Sequence, residues 1–464
     1  MPASSAPLAP VARARAAVER IVPRGAILLS VLTFASYGMG LVRDRILTRT
    51  FGAGVELDTF NAAFVIPELL FGVIVASGLA APFIPIFTGL KRDDGVPAAH
   101  AFGQTILTLA VITMGIVAAV LFVIAPWTVE IVAPGFGPVQ RQQYVELFRI
   151  MCVTQVLFAG SMALGEVLVA ERRFFFYGAA PLLYNLGIVI GTVLLADQVG
   201  ILAPAIGAVL GATMHLGIRA TGVTFRTTFR IRPRLAWRTG AIREFFRLMI
   251  PKTASSPIEP ITFLYFTSVA SGLVAGSITT VNLARNFGSV PVSLIGVAFS
   301  IAAFPAFAAA YAAHDRPGFT RLVRTNAVTI GVLTGAAAVG LIVVGPLAID
   351  VLLGGGRFDA DDVARTAAVL AVFALAVPFE SLGHLLSRAI YATHHTLLQV
   401  VASLIGFFLT IAATELLVAP LGILAIPLAF ALGSFVRFGL LLAVIVGRIH
   451  RMSPTSPGEV TPST

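Results

Sequence analysis

The chain is short of charge. Asp, Glu, Lys and Arg make up 12% of its 464 residues, about half the share of roughly 25% usual in soluble domains. That excludes an ordinary soluble enzyme, which needs a charged surface. Cysteine is nearly absent: Cys152 stands alone, so there is no internal disulfide and no thiol-rich metal site. It reads as a small apolar helix residue. No Gly-rich loop ending in Gly-Lys-Ser or Gly-Lys-Thr occurs, so hydrolysis of ATP by this chain is not expected, and nothing else marks an enzyme. Residues 1–24 are rich in Ala, Pro and Arg, without the short apolar core and small-residue cleavage site of a signal peptide. The first apolar span is therefore expected to direct its own insertion.

What the chain has is hydrophobicity. Apolar residues make up 57% of it, and the mean hydropathy is +0.93. A span needs about 20 mostly apolar residues to cross a hydrocarbon core of roughly 30 Å, and about twelve such stretches occur. They centre near residues 36, 72, 112, 155, 187, 208, 258, 292, 334, 375, 405 and 434. The expected fold class is all-α: a polytopic bundle of about twelve transmembrane helices.

The net charge of +10 does not point to nucleic acid, because the basic residues alternate with the loops. One side would carry Arg13, Arg15, Arg20 and Arg24, then Lys91 and Arg92, Arg172 and Arg173, residues 219–247, Arg316, Arg321 and Arg324, and finally Arg448 and Arg451. The other side holds little beyond Arg141 and Arg357. Basic loops stay inside, so both termini are expected in the cytoplasm, which an even number of spans also requires.

The halves resemble each other. Phe304-Pro305-Ala306-Phe307 repeats Ile84-Pro85-Ile86-Phe87 at a spacing of 220, Pro346 repeats Pro126, Leu382-Gly383 repeats Leu164-Gly165, and 422–425 repeats 200–203. An even number of spans per half gives parallel repeats, with a site expected where they meet. This is transporter architecture. The expected segments are a cytoplasmic arm (1–24), a six-helix bundle (25–218), a basic cytoplasmic linker (219–240), a second six-helix bundle (241–447) and a disordered cytoplasmic tail (448–464). The linker also suits anionic headgroups.

One polar knot interrupts the apolar chain: Tyr37, then Arg43, Asp44 and Arg45, followed by Arg49 and Asp58. Arg or Asp at the centre of a spanning helix costs about 2.5–3.5 kcal/mol on insertion scales, so such groups are kept where they line a polar cavity or where they snorkel from a helix end. Other ionisable residues in apolar segments are Glu68 beside Pro67, Arg149, Glu166, Lys252 and Glu259 among the prolines of 251–260, Arg285, Glu380, Arg388 and Arg437. The prolines suggest a kinked or broken seventh helix. Arg149, Arg388 and Arg437 read as snorkelling residues. A guanidinium grips phosphate bidentately, so Arg43 and Arg285 suit an anionic headgroup, with Asp44 and Asp58 as their counter-ions in the empty site.

Residues 37–87 carry a resemblance. Gly40-Leu-Val-Arg-Asp44, Phe51-Gly-Ala-Gly54, Asp58-Thr-Phe60, Phe64-Val-Ile-Pro67 and Phe83-Ile-Pro-Ile-Phe87 resemble the MurJ/MviN family of bacterial lipid II flippases. That family shares a superfamily with the multidrug-exporting MATE transporters. The likeness continues more weakly through Pro291-Val-Ser-Leu-Ile-Gly-Val-Ala298 and Phe304-Pro305. It implies a MATE/MurJ-like pair of parallel six-helix bundles that moves a lipid-linked anionic precursor across a bacterial inner membrane.

By the same resemblance Arg43, Asp44, Asp58 and Arg285 would bind substrate; from the residues themselves Arg45 joins them as part of the polar knot, and Glu68, Lys252 and Glu259 are candidates to line the cavity or couple an ion. No cofactor is implied beyond a coupling monovalent cation, sodium or proton. The partners implied are the substrate, membrane lipids and cell-wall synthesis proteins, around a monomer. Tyr37 stands where the family has an arginine, Phe71 or Gly72 where it has another, and Glu68 where an Asn is usual. Twelve spans, against the family's common fourteen, omit the pair that forms a groove for the lipid tail. The alternatives are a MATE-like cation-coupled exporter of small amphipathic compounds and a non-transporting cell-wall scaffold.

Overall fold

A chain in lipid cannot leave its backbone groups to water, so an apolar sequence of this kind satisfies them along helices. The computed structural model describes residues 24–254 and 258–452. Residues 1–23 of the expected arm and 453–464 of the expected tail lie outside them.

In chain order the helices are α1 (Arg24–Phe51), α2 (Val55–Phe71), α3 (Ser77–Asp93), α4 (Val96–Val132), α5 (Pro138–Ala170), the short α6 (Phe174–Gly178), α7 (Ala180–Val199) and α8 (Leu202–Arg226). There follow α9 (Gly240–Ala254), α10 (Ile258–Ser271), α11 (Ser277–Pro291), α12 (Ala298–Ala312), α13 (Arg316–Leu353), α14 (Ala360–Ala374), α15 (Val377–Ala392), α16 (Thr396–Leu421) and α17 (Ala425–Arg451). A single bridge between Gly355 and Phe358 is the extent of β structure among the described residues.

Nine described stretches are long and apolar enough to cross a membrane, or ten when the bent pair α14 and α15 counts as one span. The expected twelve is not reached by that measure, and the difference has two sources. The 55-residue run Leu397–Arg451 counts once, although α16 and α17 within it pack on each other. The stretch near 258 is divided between α9 and α10. The basic end of the chain also differs from expectation: α17 stays helical through Arg451.

The second half copies the first in local geometry, not only in sequence. A π turn follows α2 at Gly72–Ala76, and another follows α11 at Val292–Val297. Gly200 and Gly422, which end α7 and α16, have nearly the same φ and ψ, 56° and −133° against 54° and −130°. Arg172 and His394 share the left-handed region at φ 58° and 62°. A non-glycine residue there is uncommon, so finding such pairs some 222 positions apart carries more weight than any matched apolar pair.

The chain forms two compact units. Of the described residues, the first holds 24–47, 66–126 and 144–254, and the second 48–65, 127–143 and 258–452. These differ from the expected halves for identifiable reasons. Hydrogen bonds tie 48–58 to segments near 276 and 354, as described below. The basic linker is tied down as well: 219–226 closes α8, Phe229 is buried, and Gln104 donates to the Arg230 carbonyl.

In the first unit Phe83, Phe87, Phe102, Leu164, Phe229 and Phe245 form an apolar cluster. In the second, Phe307, Phe319, Ile330, Leu385 and Leu441 do the same. Phe87 and Phe307, 220 apart, are both fully buried. Buried Cys152 behaves as the small apolar residue expected. Arg219 does not behave as a linker cation. It is 3% exposed, donates to the Ser161 carbonyl at 2.9 Å and lies over the Tyr177 ring at 4.8 Å.

Helices α7 and α8 meet backbone to backbone. Gly187 abuts Gly211 and Gly191 abuts Gly207, so that a Cβ at any of the four would press on main-chain atoms. Small residues four apart are what close packing in lipid uses. Gly211→Val is expected to lower thermal stability by about 1–3 kcal/mol, the usual cost of overpacking. Thermal unfolding in detergent would show it, with Gly217→Val, where a Cβ meets open space, as the neutral control.

Candidate substrate site

Helix α1 brings its polar knot into the apolar surroundings of the first unit. Arg43 donates to the Asp44 carboxylate from Nε at 2.9 Å and from Nη2 at 2.7 Å. Its Nη1 donates to Asn185 Oδ1 on α7 at 2.9 Å, and Asn185 in turn donates to the Pro181 carbonyl. A guanidinium has five N–H groups in a planar fork, so one N–H on each terminal nitrogen of Arg43 is left over. The side chains of Arg43 and Asp44 are 26% and 17% exposed. Glu68, exposed itself, lies within electrostatic reach of Arg43 and Tyr184. Arg45 is half-buried.

Asp58 is in the second unit and is not a counter-ion for arginine. Its carboxylate accepts from Gly276 N, Thr279 N and Thr279 Oγ1, each at 2.7 Å. These donors open α11, whose own cap residue is Gly276, in the left-handed region and with no side chain to cap with. The first turn of a helix exposes N–H groups and a partial positive charge, and Asp58 supplies the missing cap from 218 residues away. It is 4% exposed. A side chain at Gly276 would strike the Ala53 carbonyl, which accounts for the glycine.

The turn after α1 is latched nearby. Arg49 donates from Nε and Nη2 to the Gly354 carbonyl at 2.8 and 2.6 Å. Arg357 N donates back to the Arg49 carbonyl, and Ala53 N donates to Asp362.

Arg285, also in the second unit, is held by acids. Its Nη1 and Nη2 donate to the two oxygens of Glu380 at 2.8 and 2.6 Å, and Nη2 reaches Glu259 at 3.3 Å. The rings of Phe263 and Phe430, 6.0 Å apart, lie against it at 5.1 and 5.0 Å. Glu380 is 7% exposed and Glu259 61%. Glu380, one of the ionisable residues in the apolar segments, thus belongs with Arg285. Asn185 had no such signal, being a neutral residue in an apolar run.

Arg437 does not snorkel freely: its Nε is buried with no hydrogen-bond partner. Arg149 stacks on Phe122 at 4.9 Å. The side chain of Lys252 lies outside the described residues. Among the described residues no group of three or more His, Cys, Asp or Glu could hold a metal ion.

The structure brings together Arg43 with Asp44, and Arg285 with Glu259. Among the described residues Asp58 hydrogen-bonds to neither arginine. Arg43 and Arg285 belong to different units.

A helical membrane chain with an internal repeat, π turns in both copies and paired arginines within its helices has the build of a multi-pass transporter, and its fold is shared with proteins of that kind. It matches a MurJ described as a lipid II flippase in an inward closed conformation, at a TM-score of 0.75 and 21% identity, over 92% of this chain and 90% of the other. An inward-facing MATE multidrug-resistance transporter matches at 0.76 and 13%, over 93% and 99%.

The family model "Lipid II flippase MurJ" matches residues 47–455, and the chain belongs to that family. The probable lipid II flippase of Rickettsia prowazekii is 23% identical over 90% of this chain and 82% of its own length. That of Thermotoga maritima is 26% identical over 88% and 82%.

Replacing Asp58 by Ala strands two buried N–H groups and a hydroxyl, at roughly 1–3 kcal/mol each. A drop of several degrees in the unfolding midpoint is expected, and a smaller one for Asp58→Asn, which keeps one acceptor oxygen. A midpoint unchanged in Asp58→Ala would mean that the cap carries no weight.

Proposed function

We propose that this chain flips a polyprenyl-diphosphate-linked peptidoglycan precursor from the inner to the outer leaflet of the bacterial cytoplasmic membrane by alternating access, with both termini in the cytoplasm. Family membership supports the reaction. The observation that carries the site is Arg43: a guanidinium within a spanning helix, held by Asp44 and Asn185, with two N–H groups left for an incoming oxygen. Charge-assisted bonds of that kind are worth about 1.5–3 kcal/mol each. Asp44 sits where it neutralises Arg43 in the empty state, so a diphosphate exchanges one anion for another instead of meeting a bare cation.

Arg285 takes a different part. Two carboxylates take three of its five N–H groups and balance its charge, and two rings lie against it, so substrate binding there competes with Glu380. Asp58 serves as the cap of α11 and acts on transport through the order of that helix. Glu68 and Glu259, both exposed carboxylates, are the residues through which a sodium ion or proton would couple, and the protein works as a monomer.

Proteoliposomes loaded with labelled lipid II test this directly. The wild type is expected to flip, Arg43→Ala to lose flipping while remaining in the membrane at normal level, and Arg43→Lys to recover it only in part, since an ammonium lacks the planar fork. Normal flipping by well-expressed Arg43→Ala would remove Arg43 from the site. Export of small amphipathic cations with no flipping by the wild type would favour the exporter reading, and neither activity would favour a scaffold.

A further inference from the structure

Apart from the arginines inside the helices, the second unit carries a basic groove at one end of α13 and α17. It has a volume of about 1030 Å³, and its lining includes Arg316, Arg321, Arg324, Thr325, Val328 and His450. None of the three arginines has an acidic partner among the described residues. The nearby Asp315 accepts from Gly318 N as the cap of α13. Arg321 and Arg324 are exposed. The groove thus offers at least three uncompensated guanidinium groups and a hydroxyl to an anion.

The same helix face continues as bare hydrocarbon. Val328, Val332, Val339 and Val343 are 58%, 65%, 60% and 71% exposed. At 100° per residue they fall on the side that carries Arg321, Arg324 and Thr325. From Val328 to Val339 is about 16 Å along the helix, close to the depth of one leaflet of a roughly 30 Å core. A charged head with an apolar tail of leaflet length is the outline of a lipid.

We propose that this groove is a binding site for an anionic phospholipid, its phosphate held by Arg316, Arg321 and Arg324 and its acyl chain laid along Val328, Val332 and Val339. The site is distinct from Arg43 and Arg285 and does not depend on what the chain transports. A free phosphate shares the head chemistry but has no use for the valine stripe. A zwitterionic lipid would fit the stripe but adds a cation beside the arginines. Basic pockets between spanning helices near a membrane surface hold anionic headgroups in this way.

Native mass spectrometry of the full chain in detergent tests the proposal, with phosphatidylglycerol, phosphatidylcholine and glycerol 3-phosphate as probes. Phosphatidylglycerol is expected to bind more tightly than the other two. The Arg321→Gln, Arg324→Gln pair should weaken it about thirtyfold, the effect of two basic residues near an anionic surface, and leave phosphatidylcholine unchanged. The pair Arg172→Gln, Arg173→Gln, exposed elsewhere on the chain, should change nothing. Equal loss in both pairs would reduce the effect to undirected surface charge. Unchanged phosphatidylglycerol binding in the first pair, or no preference over phosphatidylcholine in the wild type, would overturn the site. Glycerol 3-phosphate binding as tightly as the lipid would make it a phosphate site instead.

Discussion

The second unit hangs on one carboxylate. Helix α11 begins with a glycine in the left-handed region, a poor start for a helix whose first turn is buried. Asp58 supplies those acceptors from a helix more than two hundred residues earlier. The Arg49 and Ala53 bonds to the 354–362 segment follow from the same meeting of chain segments. This is why residues 48–65 fold with the C-terminal part of the chain and not with their sequence neighbours.

Three arginines follow a similar rule of mutual satisfaction in a medium that solvates neither sign. Arg43 has Asp44 and an amide, Arg285 has two carboxylates, and Arg219 has carbonyls and a ring. The degree of satisfaction differs, and that difference sorts the arginines by role. Arg219 is enclosed and serves packing. Arg285 uses the same number of N–H groups as Arg43, but two carboxylates balance its charge and two rings lie against it. Arg43 keeps part of its fork open.

Much of the fold was legible in the sequence, because spanning length and apolar content are local properties. So was the repeat, since proline and glycine mark backbone geometry that apolar residues do not. Arg43 with Asp44 could be read because a charge inside an apolar run is costly wherever the helix goes. Asp58 was recognised as important but given the wrong partner. Which donor a buried carboxylate meets depends on long-range packing, and Gly276 carries no side chain to announce it. Asn185 and the Arg285–Glu380 pairing were hidden for the same reason, as they join helices 142 and 95 residues apart. Arg219 was misplaced because a basic residue near a helix end looks the same whether it faces water or a neighbouring carbonyl.

The two π turns have a consequence of another kind. Each widens one turn of an α-helix, and they begin 220 residues apart, at Gly72 and at Val292. Two independent changes at matching places are a poorer explanation than one change copied. The simplest history has a single ancestral helix acquire the irregularity first, so that the doubling of the gene passed it to both descendants. The widened turn is then older than the two-unit protein that now contains it.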